Sequence, residues 1–468
     1  MASPACRNAE SPVRCVERMR LLVAILVAAV AFAGCTTDEP APPQPPGPPA
    51  EPAPDLLFGT PVMVDADRIA SEPSVKSDGT GALFICAPTG SIKYATRPQD
   101  LLVEADKGAF QSAIWRSLDN GTTWQFAETP VAEGTGLPYH SALPGAGDCD
   151  LAVDADGAVY MTDQLGLASE VMSVSFDQGQ TWEVGSPLAS GSAGVDRQWL
   201  WPDPTTPGTV YMVFNGQGQG ITVSKTTDSG KTWTAVVATD QSSPPGTIVA
   251  LNGTVAFAHR PVGGKFGFVH SEDAGATWDT TLVDVNLTTF QDFFPQLFAD
   301  AAGTLYLAWT ETSDLGTAVA YSFSKDLGAT WSPKTIAFDH PGRSLFLWGT
   351  AGSAGRLGFS WYEAPDPDGA YYVHAGVVHG ADTASPVRDD VRVDAEPVRP
   401  DPPCEDGALC TGGRELGDFQ MCAIDPAGNL LVSYVRVLPD DAAGRIMFAK
   451  ATGANLFAAG ETFDPWVV

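Results

Sequence analysis

The sequence predicts an all-β fold, a seven-bladed β-propeller of four-stranded antiparallel blades. The composition and two internal repeats predict it. Charged residues make up only 18% of the 468 residues, whereas glycine and proline are abundant, with 48 and 38 copies. Such a composition favours many short strands joined by tight turns over long helices. The two repeats then give the number of blades and the strands in each.

The first repeat is an eight-residue motif, Ser/Thr-x-Asp-x-Gly-x-Thr-Trp. A hairpin turn accounts for each conserved position of the pattern. The Asp accepts hydrogen bonds from turn amides and from the first hydroxyl, the Gly adopts a positive φ angle, and the Trp packs on the blade as an apolar anchor. The motif is therefore predicted to be structural. Its five copies are residues 117–124, 175–182, 226–233, 271–278 and 324–331.

The second repeat is a strand–turn–strand pattern of alternating apolar residues that lies between copies of the first. Two hairpins together make a four-stranded unit of about 50 residues, which is typical of a propeller blade. Segments 371–387 and 446–457 have the shape of degenerate copies of the first motif. The strand 60–66 resembles the strand that follows each motif, and it is predicted to complete the last blade and close the ring. The seven copies of the second repeat are 75–87, 151–163, 201–214, 250–259, 297–309, 350–362 and 422–434.

The spacing between hairpins is widest at two places, where we expect loop insertions rather than additional blades. These insertions are 88–112 with 125–146, and 388–417. In an oxidising compartment Cys404 and Cys410 are predicted to pair within the last insertion. Cys86 and Cys149 are predicted to pair across neighbouring blades, which leaves Cys422 unpaired and buried. No cysteine spacing in this body resembles a zinc site.

The N-terminal residues have the pattern of an export signal. The apolar run 21–33 has the length of a signal-peptide core and is short for a membrane span. It ends at Phe32-Ala33-Gly34-Cys35, which resembles a bacterial lipobox and implies a lipid on Cys35; a plain secretory signal with an incidental cysteine is the alternative. The sequence thus predicts a signal peptide at 1–34, a lipidated cysteine with a proline-rich tether at 35–57, and the propeller at 58–468. The protein is expected outside the cytoplasm, anchored by its lipid to a bacterial membrane, with the outer membrane or the cell surface as the destination.

The formal net charge of −30 limits the partners of this chain. Such a surface repels nucleic acid, so a DNA-binding or RNA-binding role is excluded. Converging acids could bind Ca²⁺, and no other cofactor is indicated. We expect a monomer.

Residues just ahead of each inner strand are predicted to ring one mouth of the central channel, on the face opposite the eight-residue motifs. Three interpretations of this rim stay open. The side chains cap loops by bonding backbone amides, they form a polar funnel that holds Ca²⁺ or water, or two of the acids act as a glycosidase-like pair. The predicted rim consists of Glu72, Asp148, Asp150, Asp196, Arg197, Gln198, Asp292, Gln296, Asp418 and Gln420.

Aromatic side chains in or near the loops of the same face are expected to pack within blades, which is commoner than stacking on sugar rings. They are Trp201, Trp309, Trp348, Trp361, Tyr362, Tyr371 and Tyr372.

The eight-residue motif is the Asp-box, or BNR repeat, so residues 58–468 resemble the Asp-box propeller lipoproteins of the sialidase-like superfamily. Because sialidase propellers have six blades, six is the alternative blade count. The resemblance implies an arginine triad for a substrate carboxylate, an Asp acid, and a Tyr nucleophile assisted by Glu. Asp67-Arg68-Ile69-Ala70 is the nearest match to the first arginine motif and lacks its aromatic residue and proline. Other guanidinium groups could come from Arg197, Arg260, Arg343 and Arg414, and the candidate catalytic residues are Asp150, Asp196, Arg197, Asp292, Tyr362, Glu363 and Asp418.

Two functions follow from these observations. The first is a surface-anchored propeller that binds a glycan or a cell-surface protein without the full sialidase catalytic set. The alternative is an exo-α-sialidase or another glycoside hydrolase that acts on extracellular glycans.

Overall fold

A computed structural model describes residues 54–89, 112–127, 146–165, 169–190, 195–216, 218–251, 253–406, 410, 412–439 and 443–461. These residues form 28 strands in seven four-stranded antiparallel sheets. The predicted signal peptide and most of the predicted tether lie outside the described residues. Within these ranges no helix is long and apolar enough to cross a membrane.

Each of the first three blades takes its strands in chain order from the channel outward. Blade 1 contains β2 (Ser74–Ser77), β3 (Leu83–Pro88), β4 (Ser112–Ser117) and β5 (Gln125–Ala127). Blade 2 contains β6 (Ala146–Val153), β7 (Val159–Leu165), β8 (Ser169–Ser175) and β9 (Glu183–Ser190). Blade 3 contains β10 (Val195–Pro202), β11 (Val210–Gly216), β12 (Gly220–Thr226) and β13 (Thr234–Thr239).

Blades 4 to 6 follow the same order. Blade 4 contains β14 (Pro245–Leu251), β15 (Thr254–Val262), β16 (Lys265–Ser271) and β17 (Asp279–Val283). Blade 5 contains β18 (Gln296–Ala299), β19 (Leu305–Thr312), β20 (Gly316–Ser324) and β21 (Thr335–Pro341). Blade 6 contains β22 (Arg343–Ala351), β23 (Arg356–Ala364), β24 (Tyr372–His379) and β25 (Val387–Arg392).

Blade 7 joins the two ends of the propeller. It contains β26 (Met421–Ile424), β27 (Leu430–Leu438) and β28 (Ala443–Lys450), and its outer strand is β1 (Val62–Met63). Val62 pairs with Phe448 in antiparallel register, so the predicted closing strand is confirmed. The seven-bladed prediction is confirmed with it, and the six-bladed alternative is wrong.

The structure corrects two boundaries of the sequence analysis. Leu56 is fully buried, and its N–H donates to Asp389 Oδ2 at 2.8 Å, so the packed body includes the last residues of the predicted tether. The predicted insertion 388–417 begins inside β25, which is an ordinary outer strand. The insertion proper therefore lies between the end of β25 and the start of β26. Most of the insertions 88–112 and 125–146 lies outside the described residues.

The Asp-box turns have the bonding that their sequence predicts. Asp119 Oδ1 accepts from Ser117 Oγ and from the N–H of Thr123, both at 2.8 Å, and its Oδ2 accepts from Thr123 Oγ1 at 2.6 Å. The box glycines adopt positive φ, for example 92° at both Gly275 and Gly328. Local hydrogen bonds thus satisfy each exposed carboxylate within its own turn.

The boxes also set how the blades pack, which the sequence did not reveal. The tryptophan ring of Trp331 in blade 5 meets Phe268 of blade 4 edge-on at 5.4 Å between centroids. Beside it, a Cβ on Gly328 would overlap the ring of Phe268. The glycine is therefore needed both for its backbone conformation and for the close approach of two blades.

The cysteines of the body form two disulfides. Cys86 of blade 1 is bonded to Cys149 of blade 2, and Cys404 is bonded to Cys410 in the loop between β25 and β26. Cys422 is free and buried in β26. The first bond links neighbouring blades, and the second closes a short loop.

Candidate functional site

The propeller has two faces with different chemistry. The inner strands β2, β6, β10, β14, β18, β22 and β26 begin at one face, here called the rim face, and run toward the Asp-box face. The predicted rim residues lie at the starts of these strands or just before them. The bonds that each one makes decide which of the three interpretations applies to it.

Asp150 and Asp292 hold neighbouring blades together. Asp150 Oδ1 accepts from Ser74 Oγ of blade 1 at 2.7 Å, and its Oδ2 accepts from the N–H of Leu200 in blade 3 at 2.8 Å. Asp292 Oδ2 accepts from the N–H of Leu347 in blade 6 at 2.8 Å. Burial raises the pKa of Asp150, and it raises the pKa of Asp292 to about 6. Both carboxylates therefore cap backbone amides, as the first interpretation predicts.

The three glutamines of the predicted rim are interior residues. Gln198 donates to the backbone oxygen of Asp148, and Gln420 donates to the backbone oxygen of Phe346 at 3.2 Å. Gln296 is fully buried, and among the described residues its side chain has no hydrogen-bond partner. None of the three is exposed to a ligand on this face.

The other rim acids surround Arg197. Its guanidinium lies 2.8 Å from Asp148, 3.7 Å from Glu72 and 3.8 Å from Asp196, and it also contacts Asp418. Glu72 Oε1 in turn accepts from the N–H of Asp418 at 2.7 Å. These residues come from blades 7, 1, 2 and 3, so the cluster bonds the blades on both sides of the ring closure. We call it the Arg197 cluster.

The charges of the Arg197 cluster are largely compensated within it. Burial raises the pKa of Glu72 and of Asp148. Burial alone would raise the pKa of Asp418 as well, but Arg197 and Arg414 together hold it below its usual value. The Arg197 side chain is 15% exposed. Because four carboxylates already engage its guanidinium, Arg197 is not free to bind the carboxylate of a substrate.

Strained backbone accompanies this cluster. Glu72 and Arg197 have φ of 50° and 60°, a region that residues other than glycine rarely occupy. Such strain persists only where surrounding bonds fix the conformation. The ion pairs of the cluster supply those bonds.

A layer of aromatic rings closes the channel beneath the Arg197 cluster. The ring of Trp199 meets those of Phe294, Trp348 and Phe419 edge-on, with centroids 5.4, 5.1 and 5.1 Å apart. Its Nε1 donates to the backbone oxygen of Pro245 at 3.1 Å. The rings come from blades 3, 5, 6 and 7, and we call them the aromatic plug. A packed plug at this level is incompatible with a water-filled funnel through the mouth.

The plug was missed at the sequence level, although a signal for it was present. An aromatic residue follows polar rim residues in or just before three of the inner strands, at Trp199, Phe294 and Phe419. Three aromatics at equivalent places in a closed ring would meet at the axis.

An open cavity of about 190 Å³ lies beside the plug on the rim face, between blades 4, 5 and 6. Its wall carries three phenylalanine rings, one amide and four charged groups. We call it the lateral pocket. Its lining includes Arg260, Phe290, Gln291, Phe293, Arg343 and Glu405.

The charges of the lateral pocket are not all paired. Arg343 Nη2 lies 2.6 Å from Glu405, whose pKa is raised by burial. Asp292, at the back of the pocket, is engaged by backbone amides. Arg260 stands over the ring of Phe290 at 5.6 Å, and it has no ion-pair partner among the described residues. The pocket therefore offers one available guanidinium in a protein of net charge −30.

Comparison with known proteins agrees with the repeat and the architecture. Residues 101–307 match the BNR repeat-like domain. The matched segment runs from blade 1 into blade 5, and it agrees with the Asp-box copies and with the propeller fold. A xyloglucanase of Hypocrea jecorina is 30% identical over 253 residues, which is 47% of this chain and 29% of the xyloglucanase. The match thus spans less than a third of that relative's length.

The chain is also similar to solved structures. One is a protein of unknown function from Dyadobacter fermentans, with a TM-score of 0.47 and 15% identity, covering 86% of this chain and 99% of the other. Another is the NanB sialidase of Streptococcus pneumoniae, with a TM-score of 0.43 and 12% identity, covering 86% of this chain and 71% of the other.

The tyrosine, the glutamate and the first arginine that the sialidase resemblance nominated do not join the Arg197 cluster. Tyr362 and Glu363 are neighbours in β23, so their side chains point to opposite faces of the sheet. Tyr362 is fully buried, and its hydroxyl accepts from the N–H of Val435 at 2.9 Å. Burial raises its pKa. Tyr362 is thus a packing residue.

Glu363 and Arg68 have local partners of their own. Glu363 Oε2 accepts from Trp361 Nε1 at 3.0 Å and lies 3.9 Å from His340 Nδ1 of blade 5. Arg68 pairs with Asp65 at 2.8 Å. Neither joins Arg197 in the manner of the predicted arginine triad.

The aromatic residues near these loops mostly pack, as expected. Trp309, Trp361 and Tyr371 are fully buried, and Trp348 belongs to the aromatic plug. As for cations, no group of three or more His, Cys, Asp or Glu side chains in the described part of the chain is arranged to hold a metal ion.

Proposed function

We propose that the propeller binds a glycan in the lateral pocket without cleaving it. The lining of the pocket is the observation that carries this proposal. Concave sites that combine aromatic surface with a few polar groups are typical of small-ligand binding. Phe290 and Phe293 offer apolar faces, while Arg260 and Gln291 offer donors for sugar hydroxyl or carboxylate oxygens.

The state of the acids supports binding rather than hydrolysis. A glycoside hydrolase of the usual kind needs two carboxyl groups on either side of the scissile bond. In the lateral pocket Asp292 is held by the amides of Phe293 and Leu347, at 2.9 and 2.8 Å, and Glu405 is paired with Arg343. On the mouth of the channel the acids are paired with Arg197. Neither place leaves two carboxyl groups available.

The xyloglucanase relative supports a carbohydrate ligand, because its name states that it acts on a polysaccharide. A cell-surface protein that carries a glycan would present the same kind of ligand.

The experiment is calorimetric titration of the purified protein with xyloglucan oligosaccharides and with sialyllactose, since one relative and the fold type suggest these two probes. We expect at least one of them to bind. Phe293→Ala and Arg260→Gln should each weaken that binding about tenfold or more, which corresponds to about 1.4 kcal/mol. The first variant removes apolar contact and the second removes the unpaired charge.

Phe176→Ala is the matched control, because Phe176 is 55% exposed in an Asp-box turn on the opposite face. It should bind like the unaltered protein. Binding that both pocket variants leave unchanged would contradict the site, and failure of both probes to bind would contradict glycan binding. Release of free sugar during the titration would instead support the hydrolase alternative.

We further propose that this binding domain is displayed outside a bacterial membrane by a lipid on Cys35. The apolar run, the lipobox-like string and the proline-rich tether support it. Cys35→Ser should shift the protein from the detergent-extracted membrane fraction to the soluble extracytoplasmic fraction. An unchanged distribution would contradict the lipid anchor.

A further inference from the structure

A second cavity, of about 120 Å³, occupies the channel on the Asp-box side of the aromatic plug. All seven inner strands contribute to its wall, from Lys76 in β2 to Ala423 in β26. We call it the lower chamber. It does not share a lining residue with the lateral pocket. A function of the chamber is therefore independent of the proposed glycan site.

The lower chamber contains a cation that makes no direct bond. Lys76 is half-buried in its wall, and no described residue forms a hydrogen bond or an ion pair with its ammonium group. The carboxylate of Asp150 also reaches the chamber and interacts electrostatically with Lys76, but Ser74 and the N–H groups of Leu151 and Leu200 occupy its oxygens. A charge held in an apolar enclosure is costly unless a partner compensates it. In a chain of net charge −30, a lysine at the axis whose ammonium group makes no direct bond is an unusual feature.

The rest of the wall is mainly apolar. The indole rings of Trp201 and Trp348 line it, together with Leu297 and Ile424. An apolar cavity of roughly 150 Å³ can hold a molecule of the size of benzene. A ligand for this chamber would therefore combine one negative charge with a compact apolar body.

We propose that the lower chamber binds a small organic monocarboxylate, with its carboxylate on Lys76 and its apolar body against Trp201 and Trp348. Bonding to an ammonium group is charge-assisted, so it offsets the desolvation of both partners. The wall excludes large ligands, and the lack of a second cation disfavours dianions. The aromatic plug closes the rim side, so the ligand enters from the Asp-box face.

Benzoate is the probe, and its neutral isostere benzamide is the chemical control. Calorimetry or ligand-observed NMR with the purified protein should show benzoate binding, with benzamide at least about tenfold weaker. Lys76→Met removes the charge and keeps an apolar chain of similar length, so benzoate affinity should fall about tenfold or more. Lys231→Met, at an exposed Asp-box turn, should leave the affinity unchanged.

A second variant tests the volume without altering the charge. Ala423 is partly exposed to the chamber, so Ala423→Leu should fill it and also abolish benzoate binding. This result keeps the proposal testable if Lys76→Met does not fold. Equal affinity for benzoate and benzamide, binding that survives both variants, or displacement of benzoate by sulfate alone at equal concentration would overturn the proposal. Lateral-pocket variants such as Phe293→Ala should have no effect on benzoate, which separates this site from the glycan site.

Discussion

The two faces of the propeller satisfy their acidic side chains in different ways. On the Asp-box face, Asp119 is bonded by Ser117 and Thr123, all within one turn. On the rim face, Asp150 is bonded by Ser74 and Leu200, which are 76 and 50 residues away along the chain. The first arrangement is local chemistry repeated by sequence. The second exists only after the ring has closed.

The difference also appears in the pKa values. Bonds from Thr277 and Ser271 lower the pKa of the exposed Asp273 to about 2. Burial raises the pKa of Asp292 to about 6. The same residue type is thus held as a carboxylate on one face and pushed toward its neutral form on the other. Bonding to amides offsets part of the burial of Asp292 but does not outweigh it.

An intermediate case lies at the turns between first and second strands. Asp300 Oδ1 accepts from the N–H of Thr304 in its own turn at 3.0 Å, while its Oδ2 accepts from the N–H of Gly355 in the next blade at 2.8 Å. One carboxylate therefore shapes a turn and joins two blades. The local sequence of such a residue indicates its role in the turn but not its bond to the next blade.

The largest expected effect is on the rim face. Arg197→Met leaves Glu72, Asp148 and Asp418 buried with less compensation, and removing one partner of a buried ion pair costs about 3–5 kcal/mol of folding free energy. The loss should shrink as the pH falls from 8 to 5, because these acids take up protons in the folded state and no longer repel. Chemical denaturation at several pH values measures the loss of folding free energy and its dependence on pH.

Lys325→Met is the matched control on the other face. Lys325 pairs with Asp382 at 2.7 Å, but its side chain is 56% exposed. We expect the free energy of unfolding to fall by at most about 1 kcal/mol, because solvent screens exposed ion pairs. Equal losses for the two variants would contradict the contrast between the faces.

A smaller effect tests whether Asp-box glycines space the blades. Gly275 and Gly328 both have φ of 92°, so alanine should strain each backbone by about 1–2 kcal/mol. A Cβ at Gly275 would lie 3.6 Å from Tyr211, an ordinary contact, whereas at Gly328 it would overlap Phe268. Gly328→Ala should therefore cost about 1–3 kcal/mol more than Gly275→Ala. Equal thermal midpoints for the two variants would mean that the glycines serve the turn alone.

The smallest effect concerns acid stability. The folded-state pKa of Asp273 is lowered from 3.8 to about 2, so its stabilisation is complete above about pH 4 and is lost as the pH falls through 2. Asp273→Asn should lower the melting temperature at neutral pH. The difference in melting temperature between this variant and the unaltered protein should narrow as the pH falls from about 4 to 2. Melting curves between pH 7 and 2 measure it.

Asp292→Asn is the comparison on the rim face. Its folded-state pKa is raised to about 6, so ionisation of the native residue costs stability as the pH rises from about 4 through 6. The free energy of unfolding of the unaltered protein should therefore rise relative to that of Asp292→Asn as the pH falls from 6 to 4. The same pH dependence in both variants would contradict the opposite pKa shifts.

Much of the fold could be predicted because its signals are local. The Asp-box turns need a fixed set of side chains within eight residues, and five copies of that set made the repeat visible. The closing strand β1 was found because it resembles the outer strands of other blades, and it pairs with β28. The overlap of β25 with a predicted insertion was missed, since an outer strand of charged residues, Val387–Arg392, looks like a loop in sequence.

The sequence predicted where the rim residues lie but not which bonds they make. The rim residues do lie where inner strands begin, but the sequence could not show that Asp150 bonds two other blades or that four acids enclose Arg197. Phe293 and Glu405 of the lateral pocket come from two different loops, and neither has a motif of its own. Whether they meet Arg260 and Arg343 in one pocket depends on how blades 4, 5 and 6 pack.

The sequence by itself determined the blades of this protein, because turn and strand chemistry acts over a few residues and repeats along the chain. Only the tertiary structure decided what lies along the axis, because ring closure brings together one residue from each of several distant blades. The Arg197 cluster, the aromatic plug and the lower chamber around Lys76 all arise there. Burial and the low polarity of that region then set which charges are compensated and which are left for a ligand.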